Sequence, residues 1–234
     1  MALPKLETPT YELELPSTGV KIKYRPFLVK EQKVLMIAQG SSDEKTISNS
    51  IGTLVSNCTF NKIDPSKSPM FDIEYIFLKL RAKSVGETVE LSVTCPDDNK
   101  TNVPVKINLD EINVQMTTGH TNIVNLTDDI KLHLRYPLLN DMQKLEGETE
   151  VDKVFNILLN CIHEVHHKDK IYNAIDVTKK DLETFIDQMT TEQLQSVMDF
   201  FDTMPKVRHV IQVTNPNTKK KGEVVLEGLQ NFLE

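Results

Sequence analysis

Tryptophan is absent from this 234-residue chain, and aromatic residues make up only 6% of it. Surfaces that stack bases or sugars on ring faces need more of them. Positive charge is also scarce: 27 Lys and Arg stand against 34 Asp and Glu, for a net charge of -7 and a pI near 5.5. That balance argues against general affinity for nucleic acid or anionic membrane, though it allows a local basic patch. Cysteine is limited to Cys58, Cys95 and Cys161, far apart in sequence. An odd, sparse set fits a reducing compartment better than a disulfide framework. No apolar run approaches the ~20 residues of a membrane span. The opening Met1-Ala2-Leu3-Pro4-Lys5 leads into an acidic, alternating segment, not the apolar core of a signal peptide. The sequons at Asn57 and Asn125 are therefore read as chance matches.

Cofactor motifs are missing too. The chain has no G-x-G-x-x-G, no G-K-[ST] phosphate loop and no G-x-S-x-G elbow, so no cofactor is expected.

What is present is alternation. Tyr11, Leu13 and Leu15 alternate with Glu12 and Glu14; after a turn at Pro16-Ser17-Thr18-Gly19, Val20, Ile22 and Tyr24 alternate with Lys21, Lys23 and Arg25. This predicts a hairpin over 10–25 with one apolar face and opposite charges facing each other across the strands. Helices follow over 27–39 (with Val34, Leu35, Ile37 and Ala38 as apolar positions), 45–58 (capped by Ser42 or Asp43) and 71–85, the last closed by Gly86. The period then returns to two, predicting a second hairpin over 87–109 and short strands around Asp128-Asp129. The last third reads as helices over 151–167, 182–189 and 192–204, then a third hairpin from Val207 to Leu226 and an apolar tail through Leu233. Strands segregated from helices predict an α+β fold: antiparallel hairpins packed with helices, with a mostly helical C-terminal third ending in a hairpin. The expected division is an α+β region over 1–118 and a mainly helical region over 119–234.

One echo runs through the chain. Val20-Lys21-Ile22-Lys23-Tyr24-Arg25-Pro26 leads into a helix, and so does Ile130-Lys131-Leu132-His133-Leu134-Arg135-Tyr136-Pro137. A common strand–Pro–helix junction explains this, since Pro ends a ladder and suits a first helical turn. Duplication of one unit is the alternative.

Three stretches carry possible chemistry. His163-Glu164-Val165-His166-His167 matches H-E-x-x-H, which on a helix would bring His163 and His167 to one zinc ion with Glu164 beside it. Lys168 and Asp169 follow at once and no third-ligand motif is evident, so a helix end decorated with basic residues is the competing reading. Cys95-Pro96-Asp97-Asp98 resembles half of a zinc knuckle without its second cysteine, and Cys95 is read as flanking a turn. Cys161 is read as core. Lys219-Lys220-Lys221 falls in a predicted turn and is read as solvated, with contact to an acidic partner as the alternative. No catalytic or metal residue is assigned; His163 and His167 are the metal candidates.

With Pro4-Lys5-Leu6, Lys23-Tyr24-Arg25-Pro26-Phe27-Leu28-Val29-Lys30-Glu31 and Leu78-Lys79-Leu80-Arg81-Ala82-Lys83-Ser84-Val85-Gly86-Glu87, the chain resembles the baseplate hub assembly proteins of T4-type contractile-tailed phages. Members often carry paired cysteines in the turn after the position of Val93, where this chain has only Cys95. The resemblance implies a non-enzymatic virion-assembly protein made in the host cytoplasm and present in the tail baseplate. Its implied partners are other hub proteins and the tape-measure protein, with no nucleic acid, membrane or small molecule. A chaperone for one of those proteins, absent from the finished virion, is the alternative; a zinc-dependent hydrolase using His163, Glu164 and His167 is the remote one.

Overall fold

A computed structural model describes residues 6–41, 44–143 and 149–228. In chain order its elements are β1 (Tyr11–Glu14), β2 (Lys21–Tyr24), α1 (Val29–Ser41), α2 (Glu44–Cys58), α3 (Met70–Ser84), β3 (Thr88–Thr94), β4 (Asn102–Asn108), β5 (Val114–Gln115), β6 (Ile123–Asn125), β7 (Ile130–Leu134), α4 (Leu139–Gln143), α5 (Glu150–Cys161), β8 (Ile162–His167), β9 (Lys170–Asn173), α6 (Lys179–Asp187), α7 (Thr191–Thr203), β10 (Lys206–Thr214) and β11 (Lys221–Glu227). The fold is α+β, with all pairings antiparallel. The chain forms two compact units, Met1–Gln115 with Lys206–Glu234, and Met116–Pro205.

The larger unit is organised around α3, whose two sides enter two different cores. Ile73, Ile76, Phe77 and Leu80 pack with Leu13, Ile22 and Tyr24 of the first hairpin and with Ile51, Leu54 and Val55 of α2. Leu78 and Ala82 pack with Leu91, Val93 and Ile107 of β3–β4 and with Val207, Val213 and Leu226 of β10–β11. A helix apolar around most of its circumference is one buried on several sides. Its few polar residues are accordingly paired. Lys79 Nζ donates to the carbonyls of Asp110 (2.8 Å) and Ile112 (3.2 Å), and Asp72 accepts from the main chain and hydroxyl of Ser17. Burial pushes the Asp72 carboxyl up and the Lys79 ammonium down, each towards neutrality.

The smaller unit is a four-stranded sheet in the order β6-β7-β8-β9. One face supplies Val124, Leu132, Leu134 and Ile162 to a core completed by Leu158 of α5, Ile186 of α6, and Val197 and Phe200 of α7. Capping boxes start α5 at Thr149, α6 at Thr178 and α7 at Thr190.

Several expectations change. The helix expected over 151–167 ends at Cys161, and the H-E-x-x-H stretch is strand β8. Tertiary pairing overrides the helical spacing: Leu132 of β7 lies opposite Val165, and a tight turn with Lys168 at φ 53° returns the chain as β9, which the periodicity did not indicate. The boundary expected at 118/119 also differs, because Lys206 and Val207 of β10 pair with Gln115 and Val114 of β5, carrying the third hairpin into the larger unit. On α1, Leu35 and Ala38 are buried, but Val34 and Ile37 are 47% and 74% exposed. The caps considered at Ser42 and Asp43, and the tail beyond Gly228, lie outside the described residues.

Candidate functional site

The outward face of the smaller unit's sheet gathers the titratable side chains. Alternation along β7 sends Leu132 and Leu134 to the core and His133 to the opposite face. On β8 the register sets Glu164 directly opposite His133, and His166, two residues on, shares that face. The imidazoles of His133 and His166 stack with centroids 3.9 Å apart and planes 16° from parallel. His166 Nε2 lies 2.6 Å from Glu164 Oε2. One ligand atom from each of these three side chains falls within 4.8 Å of the other two.

A β-bulge sets His163 beside the cluster. The pairing steps from His133↔Glu164 to Leu134↔Ile162, leaving His163 as the extra residue on β8. Its Nε2 lies 3.8 Å from Glu164 Oε1. Burial, then the neighbouring His166, hold His133 below its ordinary pKa, while the His166 hydrogen bond holds Glu164 below the usual carboxylate range.

His163 and His167 are not brought together as the H-E-x-x-H reading requires. The strand puts His167 on the other side, in a cleft of about 280 Å³ with Val165, Tyr172, Leu182 and Phe185. His163 stays beside Glu164, and the partners gained are His133 and His166. The missed signal is the period of two: Ile130, Leu132 and Leu134 alternate around His133, and with 162–167 read as a strand, Glu164 and His166 fall on its side of the sheet.

The half-knuckle meets a second turn. Cys95-Pro96-Asp97-Asp98 packs against Asn215-Pro216-Asn217-Thr218, and both turns close alike: Asn99 N donates to Cys95 O (3.0 Å) and Lys219 N to Asn215 O (2.9 Å), with Asn99 and Lys219 both at positive φ. Asn215 Nδ2 donates to Asp97 Oδ1 and Asp98 Oδ2, both at 2.9 Å, and Thr218 Oγ1 donates to Asp97. Side-chain hydrogen bonds thus hold the two turns together. A Cβ on Gly222 would come within 2.6 Å of Pro96 Cγ, so the close approach of the hairpins requires glycine there. Cys95 is buried, and burial followed by Asp97 and Asp98 pushes its thiol up. Cys161 is buried in the smaller unit, its thiol raised to about 12 by burial. Lys219, Lys220 and Lys221 are exposed. His120 is tied on both ring nitrogens, to Thr203 Oγ1 (3.0 Å) and Tyr136 Oη (3.1 Å), and so serves as a strut.

Exposed apolar residues occur on several elements, and α1 carries a group of them. Val29, Met36 and Ile37 of α1 are exposed on the side of the helix away from Glu31, Leu35 and Ala38, and Val34 is half-exposed at the edge facing α2. A family model described as T4 bacteriophage base plate protein matches residues 8–234. The chain belongs to the T4 bacteriophage base plate protein family. No curated protein and no solved structure matches it. In a base plate protein, apolar surface outside the core is as much a candidate site as any cluster of titratable groups.

Proposed function

We propose that this base plate protein acts in the central hub of a contractile tail, non-enzymatically, through contacts with other hub proteins and the tape-measure protein, after synthesis in the host cytoplasm. The observation that supports this reading is the outer side of α1. Met36 and Ile37 are 64% and 74% exposed, with Val29 adding to the same surface and Lys30 and Lys33 interleaved. Isolated exposed apolar residues are ordinary, but a helix side that carries several is the form of a helix-in-groove contact. Beside it, α1 and α2 frame a shallow cleft of about 220 Å³ lined by Lys30, Val34, Thr53 and Leu54.

Co-expression with the hub and tape-measure proteins, followed by affinity capture, tests the reading. The expected result is a stoichiometric complex that Met36→Lys combined with Ile37→Glu disrupts while circular dichroism stays unchanged. A complex indifferent to that pair removes α1 from the interface; no complex with any of these proteins overturns the assignment. Mass spectrometry of purified virions distinguishes a permanent hub component from a chaperone that leaves before completion.

A further inference from the structure

We propose that His133, Glu164 and His166 form a binding site for a single transition-metal cation, zinc above all, which braces β7 to β8 on the outer face of the smaller unit's sheet.

The donor set selects the class of ion. Two imidazoles and one carboxylate suit zinc, cobalt, nickel or copper, whereas magnesium and calcium require mainly oxygen donors. The distances fit. Tetrahedral zinc with bonds of about 2.0–2.1 Å sets its donors ~3.4 Å apart. The three ligand atoms here already lie within 4.8 Å of one another, and the stacked imidazoles must tilt out of parallel for both ring lone pairs to meet at one ion. The closest pair, His166 Nε2 and Glu164 Oε2, must open from 2.6 Å, exchanging a hydrogen bond for two metal bonds.

The backbone favours the same reading. β7 and β8 are the two inner strands, each paired on both sides, so the donors stand on a rigid part of the sheet. The bulge leaves His163 3.8 Å from Glu164 Oε1 but outside the three-residue group, so the fourth position on the ion falls to solvent. The core does not account for the cluster, because these side chains lie on the face away from it and three of the chain's six histidines converge there. A metal bound here would stabilise the folded unit, since the donors come together only when β7 and β8 pair.

The test uses the full chain, purified and stripped with a chelator, then titrated separately with zinc and cobalt(II). The expected result is one zinc per chain with a raised unfolding temperature, and visible d–d bands of a four-coordinate centre with cobalt. His133→Gln and His166→Gln should each weaken zinc binding by more than the 10–100-fold that loss of a supporting group costs. They keep a polar side chain of similar reach, and circular dichroism confirms that they fold. His209→Gln, on β10 in the larger unit, should leave binding unchanged. Absence of zinc binding by the stripped chain, or binding that survives both substitutions in folded protein, overturns the proposal and reduces the cluster to a His–Glu hydrogen bond. Neither outcome bears on the hub assignment, which rests on α1.

Discussion

Each unit opens one helix, α1 or α4, with the same kind of Arg–carboxylate junction, and then the two part. In the larger unit Arg25 N donates to the carbonyl of Cys58 (2.9 Å), Arg25 Nη1 to Pro26 O (2.9 Å), and Arg25 Nη2 to Glu31 Oε1 (2.9 Å), while Leu28 N donates to Glu31 Oε2 (2.8 Å). In the smaller unit Arg135 N donates to Cys161 O (2.8 Å), Arg135 Nη1 to Tyr136 O (3.1 Å), the guanidinium forks onto both oxygens of Asp141, and Leu138 N donates to Asp141 Oδ2 (2.8 Å). In each case the arginine sits four residues before the first helical residue and the carboxylate is the third, answering the guanidinium and an otherwise unpaired amide together. In each case a buried cysteine ends the helix that returns to the strand. The difference comes one residue later. After Cys161 the chain continues as β8, with Ile162 beside Leu134. After Cys58, Phe60 and Asn61 take positive φ and turn the chain away, leaving β1 and β2 as a two-stranded sheet. One junction thus serves two architectures, and the residues after the cysteine decide whether a strand, and with it the histidine cluster, is added.

The largest way to break the comparison is to remove the arginine. The Arg25 and Glu31 side chains are 14% and 5% exposed, against 33% and 9% for Arg135 and Asp141. Loss of one partner from a buried pair leaves an uncompensated charge, costing about 3 kcal/mol or more. Arg25→Met is expected to destabilise by about 3 kcal/mol, and Arg135→Met, where water reaches a third of the side chain, by about 2 kcal/mol. Urea unfolding of both variants checks the order. Equal small losses, or the reverse ranking, would show that burial does not set the strength of the junction.

Much of this was legible beforehand, and the part that was not is instructive. Alternating Lys and apolar residues followed by Arg and Pro marked both junctions, because a strand with one wet face writes its period into the sequence. Glu31 and Asp141 could not be picked from the many acidic residues, since their role depends on a fold that brings them back onto the arginine. The stretch 162–167 reads as the end of a helix because Val154, Phe155, Leu158, Ile162 and Val165 keep helical spacing across the break. Residues that serve one core from a helix and then from a strand look continuous in one dimension. His133 and His166 are 33 residues apart, so their meeting required the register of β7 on β8.

A second, somewhat smaller effect sharpens the contrast, because the larger unit alone ties two hairpin turns together through one amide. Asn215 is 1% exposed and bridges Asp97 and Asp98. A hydrogen bond to a charged acceptor contributes about 1.5–3 kcal/mol, and water partly replaces the loss where the acceptors are accessible. Asn215→Ala is expected to cost about 2 kcal/mol. Hydrogen exchange should speed up in β3–β4 and β10–β11 and stay unchanged in β6–β9. Equal acceleration in both units would mean that the bridge does not act locally.

The smallest effect concerns acid. Burial alone would raise the Glu31 carboxyl, but the Arg25 hydrogen bond, the Leu28 amide and the charge of Arg25 outweigh it, and the group lies below its ordinary value. A carboxylate with a depressed folded pKa contributes stability that is fully present above the unfolded value, near 4.5, and is lost as pH falls through the folded one. The wild-type chain should therefore lose stability from below about pH 5 as Glu31 takes up its proton. Glu31→Gln, which keeps an acceptor for Leu28 but gives up the charge, should start less stable at neutral pH and converge on the wild type as pH falls. Unfolding midpoints measured from neutral pH to pH 3 decide the point. Parallel curves, with a gap that does not close in acid, would assign the stability of the junction to the shape of the glutamate rather than to its charge.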